Sequence, residues 1–163
     1  MIKIIDCGTG NVSALLNCFN ELNIQAGRAL VPEDLEIATH IILPGVGSFD
    51  QVINKINKSG FSDALKLHVQ IKRKPLLGIC VGMQILADSS EEGLLNGLNF
   101  IPGEIRKFSR PQSEDFYPLP HMGWNKVKFQ NETQLCSSIP LNNEFYFLHS
   151  YFFNCVDNEH CSA

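Results

Sequence analysis

With 163 residues, 44% of them hydrophobic and 18% charged, the chain has enough apolar material for one substantial core and reads as a single globular domain over 1–163. A net charge of −4, with no basic run longer than Lys72-Arg73-Lys74, argues against nucleic acid or anionic membrane as a direct partner. No apolar run approaches membrane-spanning length and Met1–Asp6 is too brief for a signal-peptide core, so the cysteines read as reduced cytoplasmic thiols. None of them forms a Cys-x-x-Cys pair, which leaves a zinc framework without support.

Ile2 to Ile5 is predicted as a strand, ended by Cys7-Gly8-Thr9-Gly10-Asn11. Val12, Leu15, Leu16, Phe19 and Leu22 then fall on one helical face, with Asn11 as N-cap. A short strand is expected near Ile24 to Ala26, then a loop running into one helical turn at Val31–Leu35. His40–Leu43 reads as a buried strand, stopped by Pro44-Gly45-Val46-Gly47-Ser48. Helices over Phe49–Lys58 and Phe61–Lys72 follow, split by Ser59-Gly60. This alternation predicts a parallel sheet with crossover helices, whose ligand crevice lies beyond the carboxyl ends of the strands. The loops at 7–11, 44–48 and 78–82 share that rim.

Pro75 opens the stretch around which the chain is organised. The apolar run Leu76–Ile79 leads into Cys80, with Gly78 and Gly82 two residues away on each side and helical spacing from Val81. This is the layout of a nucleophile elbow with cysteine in place of serine. Glycines at those offsets let backbones pass close to the turn. The helix N-terminus favours thiolate, and the Val81 N–H points toward the same space as an oxyanion donor. An isolated cysteine after an apolar strand is usually a small core residue. The two glycines, and the polar Gln84 one turn on, favour a nucleophile instead.

After residue 99 prolines, polar residues and aromatics mix. Short alternating runs at Glu104–Phe108, Lys126–Phe129 and Phe145–Leu148 predict antiparallel or mixed strands, and Ser109–Pro120 an exposed loop.

Other motifs leave alternatives open. Gly8-Thr9-Gly10 lacks the third glycine of a dinucleotide fingerprint, because position 13 is Ser13, so a tight loop or a partner contact is the better reading. Gly45 and Gly47 around Val46 allow a peptide to turn its N–H into the crevice as a second oxyanion donor, or make an ordinary turn. His149 ends an aromatic strand, as a general base for Cys80 or as a structural residue. Trp124, in a loop-like setting, belongs to the core or to a partner face. A cysteine-type hydrolase with Asp88, Asp115 or Asp157 as third member is a further option that no spacing singles out.

Gly78-Ile79-Cys80-Val81-Gly82-Met83-Gln84 resembles the glutaminase motif of class I, triad-type glutamine amidotransferases. Pro44–Phe49, Pro120–Asn125, His149-Ser150-Tyr151 and the Gly10-Asn11 loop together resemble the glutaminase subunits of imidazole glycerol phosphate synthases. The resemblance covers essentially the whole chain. It implies a flavodoxin-like α/β fold, a mostly parallel central sheet flanked by helices, plus a smaller antiparallel or mixed strand section.

It further implies that Cys80 attacks the carboxamide of glutamine, with the oxyanion held by Val81 and a peptide N–H of Gly45-Val46-Gly47, a loop that must reorient under partner control. Gln84, His149, Ser150 and Tyr151 would bind the substrate's amino-acid end. Gly10, Asn11, Met122, Gly123, Trp124 and Asn125 would face a (β/α)8-barrel synthase subunit, which uses the ammonia to form imidazole glycerol phosphate in histidine biosynthesis. No metal or cofactor is implied.

Three departures stand out. Position 7 is Cys where Tyr or a similar residue is expected, and position 9 is Thr where Met is frequent, a loop that also suits a paralogue supplying ammonia for surface amino-sugar modification. The loop at Arg110–Pro120 is individual. The family's Cys-His-Glu triad is completed by a His-Pro-Glu segment, which these residues do not contain. The expectation is therefore an incomplete chain, without the last strands and final helix. By itself it would be a binding fragment or a nearly inactive enzyme, since a missing base costs about 10²–10⁴-fold in rate.

Overall fold

The computed structural model describes residues 1–109, 119–130, 135–140 and 143–163. Its first half alternates as predicted: β1 (Ile2–Ile5), α1 (Val12–Glu21), β2 (Ala26–Ala29), a 3-10 turn (Pro32–Leu35), β3 (His40–Gly45), α2 (Phe49–Lys58), α3 (Phe61–Leu65), a π-helical segment (Lys66–Ile71), β4 (Leu76–Cys80) and α4 (Val81–Gln84). The strands form a parallel sheet in the order β2-β1-β3-β4. That is the flavodoxin-like order, and the direction of winding reverses between β1 and β3.

Side chains alternate across a strand, so each strand feeds two cores. Ile4 and Ile42 point to the face covered by α1, where Val12, Leu15, Leu16 and Phe19 pack on them. Ile5, Ile41 and Leu43 point to the other, where Phe49, Val52, Ile53 and Ile56 of α2 and Phe61 and Leu65 of α3 bury them. Asn11 caps α1 as predicted, its Oδ1 accepting from the Ala14 N–H at 3.1 Å.

Three boundaries differ from the sequence reading. β2 lies at Ala26–Ala29 rather than Ile24–Ala26, because its partner is β1 in the register Ile2↔Ala26 and the Ile24 N–H is spent closing the turn onto Phe19 O. Register with a neighbour, not local apolarity, sets that edge. The helix predicted over Phe61–Lys72 loosens into π geometry after Leu65, with the Lys72 N–H reaching Leu67 O. This turn buries His68, 2% exposed. The helix after Cys80 is one turn, Val81–Gln84, so the dipole assistance expected there is small.

The second half holds β5 (Ser89–Ser90), β6 (Gly103–Lys107), β7 (His121–Lys126), β8 (Glu144–His149), β9 (Tyr151–Cys155) and a 3-10 turn (Asn158–His160). β5 runs parallel to β6 and β6 antiparallel to β9, while β7 and β8 form a separate antiparallel pair. This is the mixed section that was expected, with Ile105, Tyr151 and Phe153 packing onto the main core. The strand expected at Lys126–Phe129 is instead β7, which ends at Lys126. Trp124 therefore lies in a strand, not a loop; Gly123, at φ +143°, had masked the alternation. The predicted loop at Ser109–Pro120 lies mostly outside the described residues, as does Asp115. Among the described residues no helix is long and apolar enough to cross a membrane.

Candidate active site

Cys80 sits at the carboxyl end of β4, exposed, with φ 55° and ψ −121°. That is the conformation of the first central residue of a type II′ turn, costly for any residue but glycine. The glycines around it let neighbouring backbone close in on the turn. A Cβ on Gly82 would overlap the Leu43 carbonyl oxygen, and one on Gly78 would come within 2.7 Å of the Met83 nitrogen. Gly45 lies directly opposite Cys80 in the β3–β4 ladder, and a Cβ there would fall 2.7 Å from the Val81 carbonyl carbon. The thiol turn and the 44–48 loop are thus pressed backbone to backbone.

The third rim loop is tied to the second. The Thr9 hydroxyl donates to Pro44 O at 3.0 Å, the Val46 N–H donates to Thr9 O at 2.6 Å, and a Cβ on Gly10 would lie 2.7 Å from Pro44 Cβ. Lys55 on α2 hooks the same loop through Gly8 O. The Val46 side chain is exposed, while its N–H faces Thr9 and not the thiol. By contrast the Val81 N–H opens a helical turn, where no residue four back accepts it within the helix. Gln84 is buried one turn after Cys80, 7% exposed.

The remaining predicted residues form a second cluster on the β7–β8 pair and its exit into β9. His149 Nδ1 lies 2.8 Å from Tyr151 O, His149 Nε2 lies 3.0 Å from His121 Nδ1, and His121 Nε2 lies 2.6 Å from Asn125 Nδ2. A carbonyl only accepts, so His149 carries its proton on Nδ1. Its Nε2 then accepts from the His121 Nδ1–H, and His121 Nε2 accepts from the Asn125 amide. Phe147 stacks on His121 and Phe108 packs edge-on to His149, both with centroids 5.1 Å apart. Both ring nitrogens of His149 are therefore engaged within the hairpin and its exit into β9. The Ser150 carbonyl accepts the Phe108 N–H at 3.0 Å, which fixes the crossing from β8 into β9.

Among the described residues the opposite face of that pair is uncovered. Met122 stands opposite Leu148 and Trp124 opposite Tyr146, each more than half exposed. Gly10 and Asn11 lie instead on the first rim loop, packed on Pro44 and capping α1. Of the hydrolase alternatives, Asp88 accepts from the Gly103 N–H at 2.9 Å and Asp157 caps Glu159 at 2.9 Å, so both carboxylates have structural work. A cavity of about 290 Å³ between Ile53, Lys66 and Asn99 holds none of the motif residues.

Residues 3–161 match the family described as Glutamine amidotransferase class-I. The chain belongs to this family. It is 44% identical to imidazole glycerol phosphate synthase subunit HisH of Bdellovibrio bacteriovorus over all of this chain and 80% of that one. It is 44% identical to the protein of the same name from Leptospira interrogans, over 97% of this chain and 78% of that one. A crystal structure of a glutamine amidotransferase superposes with a TM-score of 0.70 at 16% identity, covering 96% of this chain and 75% of that one, which places the fold.

Among class I amidotransferase features, the sequence motifs located the elbow and its facing loop. They did not reveal Thr9, whose hydroxyl and carbonyl both hold that loop, or Glu92, whose carboxylate accepts the Phe49 N–H at 2.7 Å. The signal for Thr9 was a polar residue between two glycines; nothing in the local sequence marked Glu92.

Proposed function

We propose that this amidotransferase releases ammonia from glutamine through a thioester on Cys80 and delivers it to an imidazole glycerol phosphate-forming synthase subunit. The observation that carries the reading is the exposed, strained Cys80 turn pressed backbone to backbone against the Gly45 loop. The names of the relatives favour the histidine pathway over amino-sugar modification.

The Cys80 thiolate adds to the side-chain carbonyl carbon of glutamine, and the Val81 N–H holds the developing oxyanion. The C–N bond breaks as the leaving nitrogen takes up a proton from a water molecule, and ammonia departs. Water then hydrolyses the thioester to glutamate and returns the thiol. A second oxyanion donor comes from the 45–47 loop, whose Val46 N–H must first leave Thr9 O. Partner binding supplies that reorientation, so the glutaminase is slow alone and fast in the complex. Gln84 and the His149-Ser150-Tyr151 segment bind the amino-acid end of glutamine, with the His149 Nδ1–H donating to the Tyr151 carbonyl.

The partner is a (β/α)8 barrel that docks on Met122, Gly123, Trp124 and Asn125 together with Gly10 and Asn11, forming a two-subunit cytoplasmic lyase. Glutamate release from glutamine, measured for the complete gene product with the synthase subunit and its nucleotide substrate present, tests the function. Release that requires Cys80 and rises on adding the partner supports it; no release under any of these conditions overturns it.

A further inference from the structure

We propose that Glu92 is a positioning residue for the glutaminase: it sets the 44–48 loop by capping the helix that leaves it. The proposal rests on the glutaminase reading above. Ser48, the N-cap of α2, makes no side-chain bond to the helix, so the first-turn N–H groups need partners from elsewhere. The Phe49 N–H finds one in Glu92 Oε2, 43 residues along the chain, at 2.7 Å, a charge-assisted bond.

The exchange is reciprocal. Asp50, in the first turn of α2, accepts from the Leu94 N–H at 3.0 Å and the Leu95 N–H at 3.1 Å. Gly93 is required between them, since a Cβ there would lie 2.6 Å from Asp50 Cγ. Glu92 is itself oriented by its own N–H donating to Ser90 Oγ at 3.1 Å, at the end of β5. Two carboxylates thus clasp the start of α2 to the segment that trails the thiol turn.

The clasp matters because so little chain separates it from the reacting centre. Only Gly47, at φ +112°, and Ser48 stand between Val46 and Phe49. The loop's entry is fixed by the β3–β4 ladder and Thr9, and its exit by Glu92. Releasing the exit lets the 46–48 peptides drift, and misplacement of an oxyanion donor by about 1 Å costs on the order of 10²-fold in rate.

The test uses the protein in complex with its synthase partner, comparing wild type with Glu92→Ala, Glu92→Gln and Asp50→Ala. Expected are a kcat for glutamine hydrolysis about 10- to 100-fold lower in Glu92→Ala with KM within about twofold, and recovery of most of the loss in Glu92→Gln, which keeps an acceptor oxygen. Asp50→Ala gives a smaller loss of the same kind. An unchanged kcat in Glu92→Ala overturns the proposal. So does a loss confined to KM and equal in Glu92→Gln, which would make the carboxylate a substrate ligand. Amide hydrogen exchange at Phe49 reads the clasp without activity: it quickens in Glu92→Ala, and no quickening overturns the proposal even if the wild-type complex releases no glutamate, a result that would separately defeat the glutaminase reading.

Discussion

The Val46 N–H donates to the Thr9 carbonyl at 2.6 Å, while the hydroxyl of the same threonine donates to the Pro44 carbonyl at 3.0 Å. One residue of the β1 rim loop therefore holds the loop facing Cys80 from two sides, and Thr9 is only 1% exposed. Replacing it with the near-isosteric Val leaves the buried Pro44 oxygen short of a donor, at a cost of about 1–3 kcal/mol. Thr9→Val should lower the denaturant midpoint at unchanged slope.

Gly82 has no space for a side chain, because Leu43 O occupies the position its Cβ would take. Gly82→Ala must push β3 and the thiol turn apart, a loss of about 1–3 kcal/mol in stability. Glutamine turnover should fall with it, since the same displacement moves Cys80 away from the Gly45 loop. Thermal unfolding and glutamate release on one preparation check both.

His68 is buried in the π-helical turn with no partner for Nδ1 among the described residues, and its Nε2 lies 3.8 Å from Glu36. Burial, then the charges of Lys74 and Lys72, hold its pKa below the ordinary 6.5, against the weaker pull of Glu36. The folded chain therefore binds this proton less readily than the unfolded chain. Stability is fully present above about pH 6.5 and is lost as pH falls from there toward the folded pKa. His68→Leu should flatten that part of the stability–pH curve, measured by urea titration between pH 7.5 and 5, conditions chosen to bracket the ordinary histidine value of about 6.5.

Trp124 and Tyr146 meet edge to face at 5.7 Å on the bare side of the β7–β8 pair, with Met122 and Leu148 beside them. Exposed aromatics of this kind anchor interfaces. Trp124→Ala should weaken association with the synthase subunit by about 2 kcal/mol or more while leaving the unfolding midpoint of the isolated chain nearly unchanged. Calorimetric titration gives the first quantity and thermal melting the second.

The parallel half of the fold was legible because strand and helix periods alternate cleanly there, from Ile2 to Lys58. The elbow was legible because Gly78, Cys80 and Gly82 have fixed offsets that geometry demands. Non-local contacts were not. β2 took its position from pairing with Ile2, and β7 hid behind Gly123. Glu92 gains its place only when a helix start 43 residues earlier folds against it. The His149 network was invisible for the same reason: it is assembled across β7, β8 and β9, with His121 28 residues from its partner.

In the proposed reaction Cys80, and no other thiol, bonds to the side-chain carbon of glutamine. Incubating the complex with a glutamine analogue that carries an electrophilic diazoketone, followed by peptide mass spectrometry, tests it directly. A single adduct on the peptide containing Cys80 is expected, with loss of glutamate release in parallel and protection by glutamine. Labelling of another cysteine, or glutamate release that persists in Cys80→Ser, would contradict it.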